Sequence, residues 1–408
     1  MKYAILQGDG MADYPLDSLG GKTPLEVAAT PHMDWLAARG IFGLAYTIPE
    51  GFPPGSDVGN MSILGYDPAL YHTGRSPLEA ASMGVTLGPE DIAFRCNLVT
   101  LKEEASGAVM EDFTAGHISS EEGAEIIRDL NPRLGGNGVE FYPGVSYRHL
   151  MVWRGGEEGM VTTPPHDITD KKIAAYLPHG QGSEKLRALM DGSETLLARH
   201  PVNGQREAKG KRRATSVWLW GQGRAPTLPS LKERFGIQGG VISAVDIVNG
   251  LGVYAGLDRI RVPGITGFFD TNYQGKGEYG LRALAEKDFI FIHVEAPDEA
   301  GHMGDVGEKI KAIENFDEKV VGTLLRGMEQ WPDWRILLLP DHPTPIALKT
   351  HVADPVPFVL FSSSDTDERK GVGYNERDAR KTGIVVKKAF NLIEGLIGGR
   401  KPWTETSL

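Results

Sequence analysis

Phe289-Ile290-Phe291-Ile292-His293-Val294-Glu295-Ala296-Pro297-Asp298 runs from an apolar stretch straight into acidic residues. A short run of aromatic and β-branched residues with so little polar interruption predicts a strand buried on both faces, as in a parallel sheet, opening into a loop at its carboxyl end. Two distant stretches repeat the pattern. Tyr3-Ala4-Ile5-Leu6-Gln7 is stopped by Gly8-Asp9-Gly10, and Arg335-Ile336-Leu337-Leu338-Leu339-Pro340 is followed at once by Asp341-His342. Residues 24–39, 243–254, 277–287 and 306–328 lie between such runs, several with apolar residues at three and four spacing, and predict helices. The expected fold class is therefore α/β, a mostly parallel sheet sandwiched by helices.

In such sheets ligands collect at the carboxyl ends of the strands, so donors far apart in sequence can meet in one crevice. Asp9, Asp298, His302, Asp341 and His342 all follow a predicted strand, and His351 lies shortly beyond His342. Asp298 and His302 are four apart and can grip one ion if their loop opens into a helical turn. Asp341 and His342 are adjacent and would serve one ion only from a loop, since neighbours on a strand point opposite ways. Mixed carboxylate and imidazole donors suit Mn²⁺, Zn²⁺, Co²⁺ or Ni²⁺ better than Ca²⁺. Ser56, in Pro53-Pro54-Gly55-Ser56-Asp57, adds a hydroxyl at the start of a predicted helix. It reads either as a turn serine capping that helix or as a nucleophile beside two cations, and the two roles are compatible. Together these residues predict a two-metal phosphoryl-transfer enzyme with a serine nucleophile.

The segment from Thr86 to Arg213 reads differently, with shorter strand-like pieces (94–101, 147–153), one helix over 119–130 and Gly/Pro-rich joints. We expect residues 86–213 to form a smaller inserted α+β cap domain, and 1–85 with 214–408 to form the metal-binding domain, the run Ser216–Gly221 resuming the strand-into-glycine pattern. The basic stretch Arg206–Arg213 reads as a solvated linker rather than a substrate clamp.

Composition narrows the function classes. A formal net charge of −11 over 408 residues supplies no general basic field for nucleic acid. No segment approaches the roughly 18 apolar residues that span a bilayer, and the first apolar run is too short for a signal peptide's core. The one cysteine, Cys96, excludes an intrachain disulfide framework and reads as a small core residue. The expectation is a cytoplasmic enzyme with a small-molecule substrate, without nucleic-acid or membrane partners.

Nearly the full length resembles the archaeal-type cofactor-independent phosphoglycerate mutases of the alkaline phosphatase superfamily. The resemblance rests on Gly8–Asp13, Gly20-Gly21-Lys22-Thr23-Pro24, Pro54–Asp57, Ile63–Pro68, Asp112–Ile118, Pro165-His166-Asp167 and Glu295–His302. It implies an alkaline phosphatase-like fold with an inserted cap. It also implies one ion on Asp9, Ser56, Asp341 and His342 and another on Asp298, His302 and His351, with Mn²⁺ expected and Zn²⁺, Co²⁺ or Mg²⁺ as alternatives. The implied reaction moves the phosphoryl group of 3-phosphoglycerate to Ser56 and returns it to the 2-hydroxyl. Such a scheme needs cations for a small phosphorylated hydroxy acid and a proton shuttle. Arg95 and Arg148 are the expected clamps, His166 or Asp167 the shuttle, and Lys276 a contact to the phosphoserine. The stretch Trp218–Pro226 also resembles a bacterial branch with a proposed homoserine phosphotransfer role, which makes that transfer one alternative and plain phosphomonoester hydrolysis another. A nucleotide-binding loop is excluded, because Gly20-Gly21-Lys22-Thr23 would need glycine at position 16, which is Leu16.

Overall fold

The computed structural model describes residues 1–105 and 107–399 and divides into two compact units, Met1–His72 with Thr227–Leu408, and Thr73–Pro226. The second unit is wider at both ends than 86–213.

The first unit is built on an eight-stranded sheet. From one edge the strands are Asp258–Arg259, Gly239–Ile242, Phe289–Val294, Lys2–Gly8, Trp334–Leu339, Val356–Ser362, Ile41–Ala45 and Val385–Val386. Val356–Ser362 alone runs antiparallel to its neighbours. The three strands that the sequence pattern singles out are adjacent, with Lys2–Gly8 in the centre and Phe289–Val294 and Trp334–Leu339 parallel on either side. All six residues of Phe289–Val294 are buried, which accounts for its lack of apolar/polar alternation. Ala4, Leu6, Ile290, Ile292, Ile336 and Leu338 share a cluster with Met33, Leu36, Ile313, Phe316, Val320 and Leu324 from helical segments.

The helix expected over 24–39 is two, Pro24–Val27 and Pro31–Arg39. Thr30 precedes Pro31, whose ring disfavours helical backbone at the residue before it. The helix expected over 306–328 is continuous, but passes through a π-helical segment at Phe316–Val321.

The second unit holds a five-stranded antiparallel sheet in which the long strand Ile92–Lys102 pairs with Val109–Asp112, Arg148–Trp153 and Ser216–Arg224, and Val139–Val145 adds to Arg148–Trp153. Ser216–Arg224 thus belongs to this sheet, not to the parallel one that its apolar-into-glycine pattern predicts. Ile126, Ile127, Leu130, Leu186 and Met190 of the helices Ser120–Leu134 and Ser183–Leu197 pack on Phe94, Cys96, Leu98 and Met151. Cys96 is a fully buried member of that core, as its sequence context predicts. Among the described residues no helix is long and apolar enough to cross a membrane.

Candidate active site

Strand register explains why distant donors meet. Gln7 stands opposite His293 on one side and Leu339 on the other. Asp9, Glu295 and Asp341 are each the second residue beyond that level, at the carboxyl ends of three adjacent strands. Asp9 and Asp341 are fully buried. Asp341 and His342 sit in the loop after the strand, the setting that lets adjacent side chains converge. Gly10 N–H and His342 N–H donate to Asp341 Oδ1 over 3.3 and 3.1 Å, and Asn60 Nδ2 donates to Oδ2 over 3.2 Å.

Ser56 is the first residue of the helix Ser56–Ile63; its hydroxyl does not cap that helix but lies 3.3 Å from His342 Nε2. The same Nε2 is 3.3 Å from Asp341 Oδ2 and 3.6 Å from Asp9 Oδ1. Thr344 spends its hydroxyl proton on Asp298 Oδ1, so at 3.3 Å it accepts from His342 Nδ1–H. That tautomer leaves the Nε2 lone pair facing Ser56 and two carboxylate oxygens.

Asp298, His302 and His351 form the adjoining group. Asp298 and His302 lie on the helix Ala296–Met303, with His302 Nε2 3.2 Å from Asp298 Oδ2. His351 Nε2 is 3.4 Å from Asp298 Oδ1 and 2.8 Å from His302 Nε2. His302 Nδ1 donates to Lys349 O over 3.0 Å, which turns Nε2 toward the group. Burial alone would raise the Asp298 carboxyl, but its bonds to His302 and His351 hold it well below the usual range. Asp298 in turn lifts His302 to about 9.

Burial, together with Asp341, Glu295 and Asp298, raises the Asp9 carboxyl well above the usual range. Burial and then Asp298 push Glu295 up to about 8. Among the described residues, Asp9 Oδ1 is buried without a hydrogen-bond partner. Crowded carboxylates, an orphaned oxygen and an imidazole lone pair aimed among them fit a divalent cation, which would reverse each of these repulsions. Asp9 with Asp341 and His342, and Asp298 with His342 and His351, each bring donor atoms within 4.8 Å of one another, so His342 belongs to both groups.

Sequence reasoning missed a third such group, Asp9 with His293 and Glu295. His293 Nε2–H donates to Asp9 Oδ2 over 2.8 Å, while Nδ1 accepts from Ser243 Oγ over 3.1 Å. Burial pushes this imidazole down to about 3, so it stays neutral. Its signal is the two-residue step from His293 to Glu295, matching that from Gln7 to Asp9.

Close backbone approach locks the centre. At Gly10, with φ of 60°, a Cβ would lie 2.6 Å from Asp298 Oδ1, and one at Gly59 would lie 2.8 Å from Asp341 O. Lys309, fully buried, bonds Asp13 at 2.7 Å and Thr344 O at 2.8 Å, pinning the loop that carries Thr344. Lys276 lies on the helix Tyr273–Glu286, fully buried, and donates to His293 O over 2.8 Å. Burial lowers it to about 8. No bond described directs it at Ser56.

In the second unit Arg95, Asn97, Arg148, His166 and Trp220 line a cavity of about 150 Å³, with Glu79, Phe113, Tyr147 and His149 completing its wall. Arg95 and Asn97 alternate with core-facing Phe94 and Cys96, so strand periodicity places them on the opposite face. Arg95 Nε lies 2.9 and 3.0 Å from the two Glu79 carboxylate oxygens, and the guanidinium sits 4.7 Å from the Trp220 ring. Asn97 Oδ1 accepts the Trp220 indole N–H over 3.0 Å. His166 packs edge-on to Trp220 at 5.3 Å, and burial lowers its pKa. Asp167 is exposed and outside the cavity wall. Arg206, expected in a solvated linker, is buried instead, at 1% exposure, on the helix Pro201–Ala208.

The family model of 2,3-bisphosphoglycerate-independent phosphoglycerate mutase matches residues 37–203. A Geobacter sulfurreducens protein named "Probable 2,3-bisphosphoglycerate-independent phosphoglycerate mutase" is 56% identical over 97% of this chain and 100% of its own length. The chain belongs to this family. The Methanosarcina barkeri 2,3-bisphosphoglycerate-independent phosphoglycerate mutase is 51% identical over 97% of this chain and 99% of its own. A solved Pyrococcus horikoshii protein shares the fold at a TM-score of 0.82 and 26% identity, covering 100% of this chain and 99% of that one. The Geobacter and Methanosarcina relatives carry the mutase name, and the homoserine alternative gains nothing from them.

Proposed function

We propose that the protein interconverts 3-phosphoglycerate and 2-phosphoglycerate through a phosphoserine at Ser56, without added 2,3-bisphosphoglycerate, in the cytoplasm. The supporting observation is Ser56 Oγ 3.3 Å from a His342 nitrogen whose lone pair faces Asp9 and Asp341, in a family member of matching length. Asp9, Ser56, Asp341 and His342 would hold one divalent cation, and Asp298, His302 and His351 a second, Mn²⁺ being our choice. When bound, such ions would lower the Ser56 pKa and neutralise phosphoryl oxygens.

Ser56 Oγ, its proton released to solvent, attacks phosphorus as the bond to the substrate's O3 breaks, and His166 gives that oxygen a proton. His166 lines the cavity that holds Arg95 and Arg148 and Asp167 does not, which favours the imidazole as the shuttle. The glycerate then presents O2, His166 takes its proton, and the phosphoserine ester bond breaks as the new one forms. Arg95 and Arg148 hold the substrate carboxylate, Arg95 being oriented by Glu79 and Trp220. Lys276 we assign to fixing the carboxyl end of Phe289–Val294 through His293 O. The N–H groups at the start of Ser56–Ile63 favour the added phosphate.

The test is a coupled assay for 2-phosphoglycerate from 3-phosphoglycerate in Mn²⁺ and then with chelator, no bisphosphoglycerate being added. Metal-dependent turnover is expected. No turnover with any divalent metal, but phosphorylation of homoserine when ATP is supplied, would replace the substrate.

A further inference from the structure

Ala115, Gly116 and His117 are consecutive residues in the left-handed region, with φ of 49, 65 and 48°. Two of them carry a Cβ, so this turn is sterically costly and persists only where its surroundings over-determine it. Two side chains do so, one through donors and one through acceptors. Asp112 collects donors: Oδ1 accepts from Thr114 N and Oγ1 over 2.8 and 2.6 Å, and Oδ2 accepts from Gly116 N and Arg212 Nη1, both over 2.9 Å. Arg206 collects acceptors: Nη2 donates to Ala115 O over 2.7 Å, Nε donates to Arg212 O over 2.7 Å, and Nη1 pairs with Glu122. A guanidinium on its planar fork meets three such acceptors at once, which an ammonium cannot do in the same geometry.

The turn issues from Phe113. That ring lies 5.9 Å from Tyr147 and 5.9 Å from His166, on the wall of the cavity that also holds Arg95 and Arg148. Its carbonyl accepts from Asn97 Nδ2 over 3.3 Å, and Asn97 also holds the Trp220 indole. Arg206 itself does not line the cavity.

We propose that Arg206 is a positioning residue for substrate binding: with Asp112 it clasps the left-handed turn 115–117 and so fixes Phe113 against His166 in the wall of the Arg95–Arg148 cavity. This rests on the reading of that cavity as the substrate site. Loosening the clasp misplaces the wall that shapes the pocket and leaves the metal centre's own residues untouched. The effect therefore falls chiefly on KM, and less on kcat, which it reaches only through the packing of Phe113 on His166.

The test is steady-state kinetics of Arg206→Met and Arg206→Lys with 3-phosphoglycerate in Mn²⁺, with melting temperature recorded beside them, and with Phe113→Leu and Arg95→Ala as references. Arg206→Met is expected to raise KM about tenfold with kcat within about twofold of the parent, Arg206→Lys falling between. Where the methionine variant fails to fold, the lysine variant is read by the same split. Unchanged KM in the Arg206 variants, with only a lower melting temperature or a lower kcat, would overturn the clasp if Phe113→Leu and Arg95→Ala raise KM. If those references also leave KM unchanged, the substrate reading of the cavity fails, and the clasp's role in binding falls with it.

Discussion

The two units gather charge in opposite ways. In the first, Asp9, Asp341, Asp298 and Glu295 crowd together at the ends of parallel strands, and burial and then the neighbouring Asp298 and Asp341 carboxylates push the Asp9 and Glu295 carboxyls up. In the second, Arg95 and Arg148 lie among aromatic rings, and Glu79 holds Arg95 by its guanidinium. A crowd of buried anions is unstable by itself and asks for cations. A cationic cavity walled by Phe113, Tyr147 and Trp220 suits a small organic anion. On the proposed reading, the first region serves the phosphoryl group and its metals, and the second the acid that carries it.

The largest effect should come from Ser56→Ala. Loss of the nucleophile is expected to lower kcat by about 10⁴-fold or more, with metal content unchanged in elemental analysis. Turnover near the parent's would break the assignment of chemistry to the first unit. Asp341→Ala comes next, with kcat reduced by about 10³-fold and metal lost on dialysis. Retained metal with full activity would remove Asp341 from the centre.

Ile292→Ala separates scaffold from chemistry. It empties a fully buried site in the parallel sheet and should cost about 2–5 kcal/mol in denaturant unfolding. Arg95→Ala should raise KM for 3-phosphoglycerate about 10–100-fold and leave metal affinity unchanged, sharpening the division between acid recognition and phosphoryl transfer.

The smallest effect is a pH dependence confined to the second unit. Gly144 N–H donates to His149 Nδ1 over 3.0 Å, and burial lowers this imidazole to about 3. The unfolded chain takes up the proton first, near the ordinary value of 6.5. The stability from neutral His149 is therefore complete above that pH and lost progressively toward about 3. About 2 kcal/mol should be gone by pH 5, and His149→Gln should remove that part of the slope in urea titrations. An unaltered slope would show that His149 is already neutral in the unfolded state or exposed in the folded one.

The same contrast explains what the sequence made legible. Asp9, Asp298 and Asp341 each follow an apolar run, so the parallel fold and the strand ends where these candidate donors gather can be read from local pattern. His293 cannot, because it lies inside such a run and passes for an interruption of the strand. Ser216–Arg224 shows the limit of that signature: an apolar strand ending in glycine looks the same whether its neighbours are parallel or antiparallel. Arg95 and Arg148 could be nominated as cations on strands, but their companions Glu79, Phe113 and Trp220 come from a helix, a loop and another strand that no spacing links. Arg206 misleads because a basic run reads as solvated, whereas this side chain is buried against Glu122, Arg212 O and a carbonyl of the left-handed turn.

The central claim is that phosphate passes through Ser56. Rapid acid quenching of the Mn²⁺-loaded enzyme during turnover of 3-phosphoglycerate, followed by mass spectrometry of the peptide containing Ser56, tests it directly. The account predicts one added phosphoryl group on Ser56, absent from Ser56→Ala. Steady conversion to 2-phosphoglycerate with that peptide unmodified, or with the phosphoryl group on another residue, would contradict it.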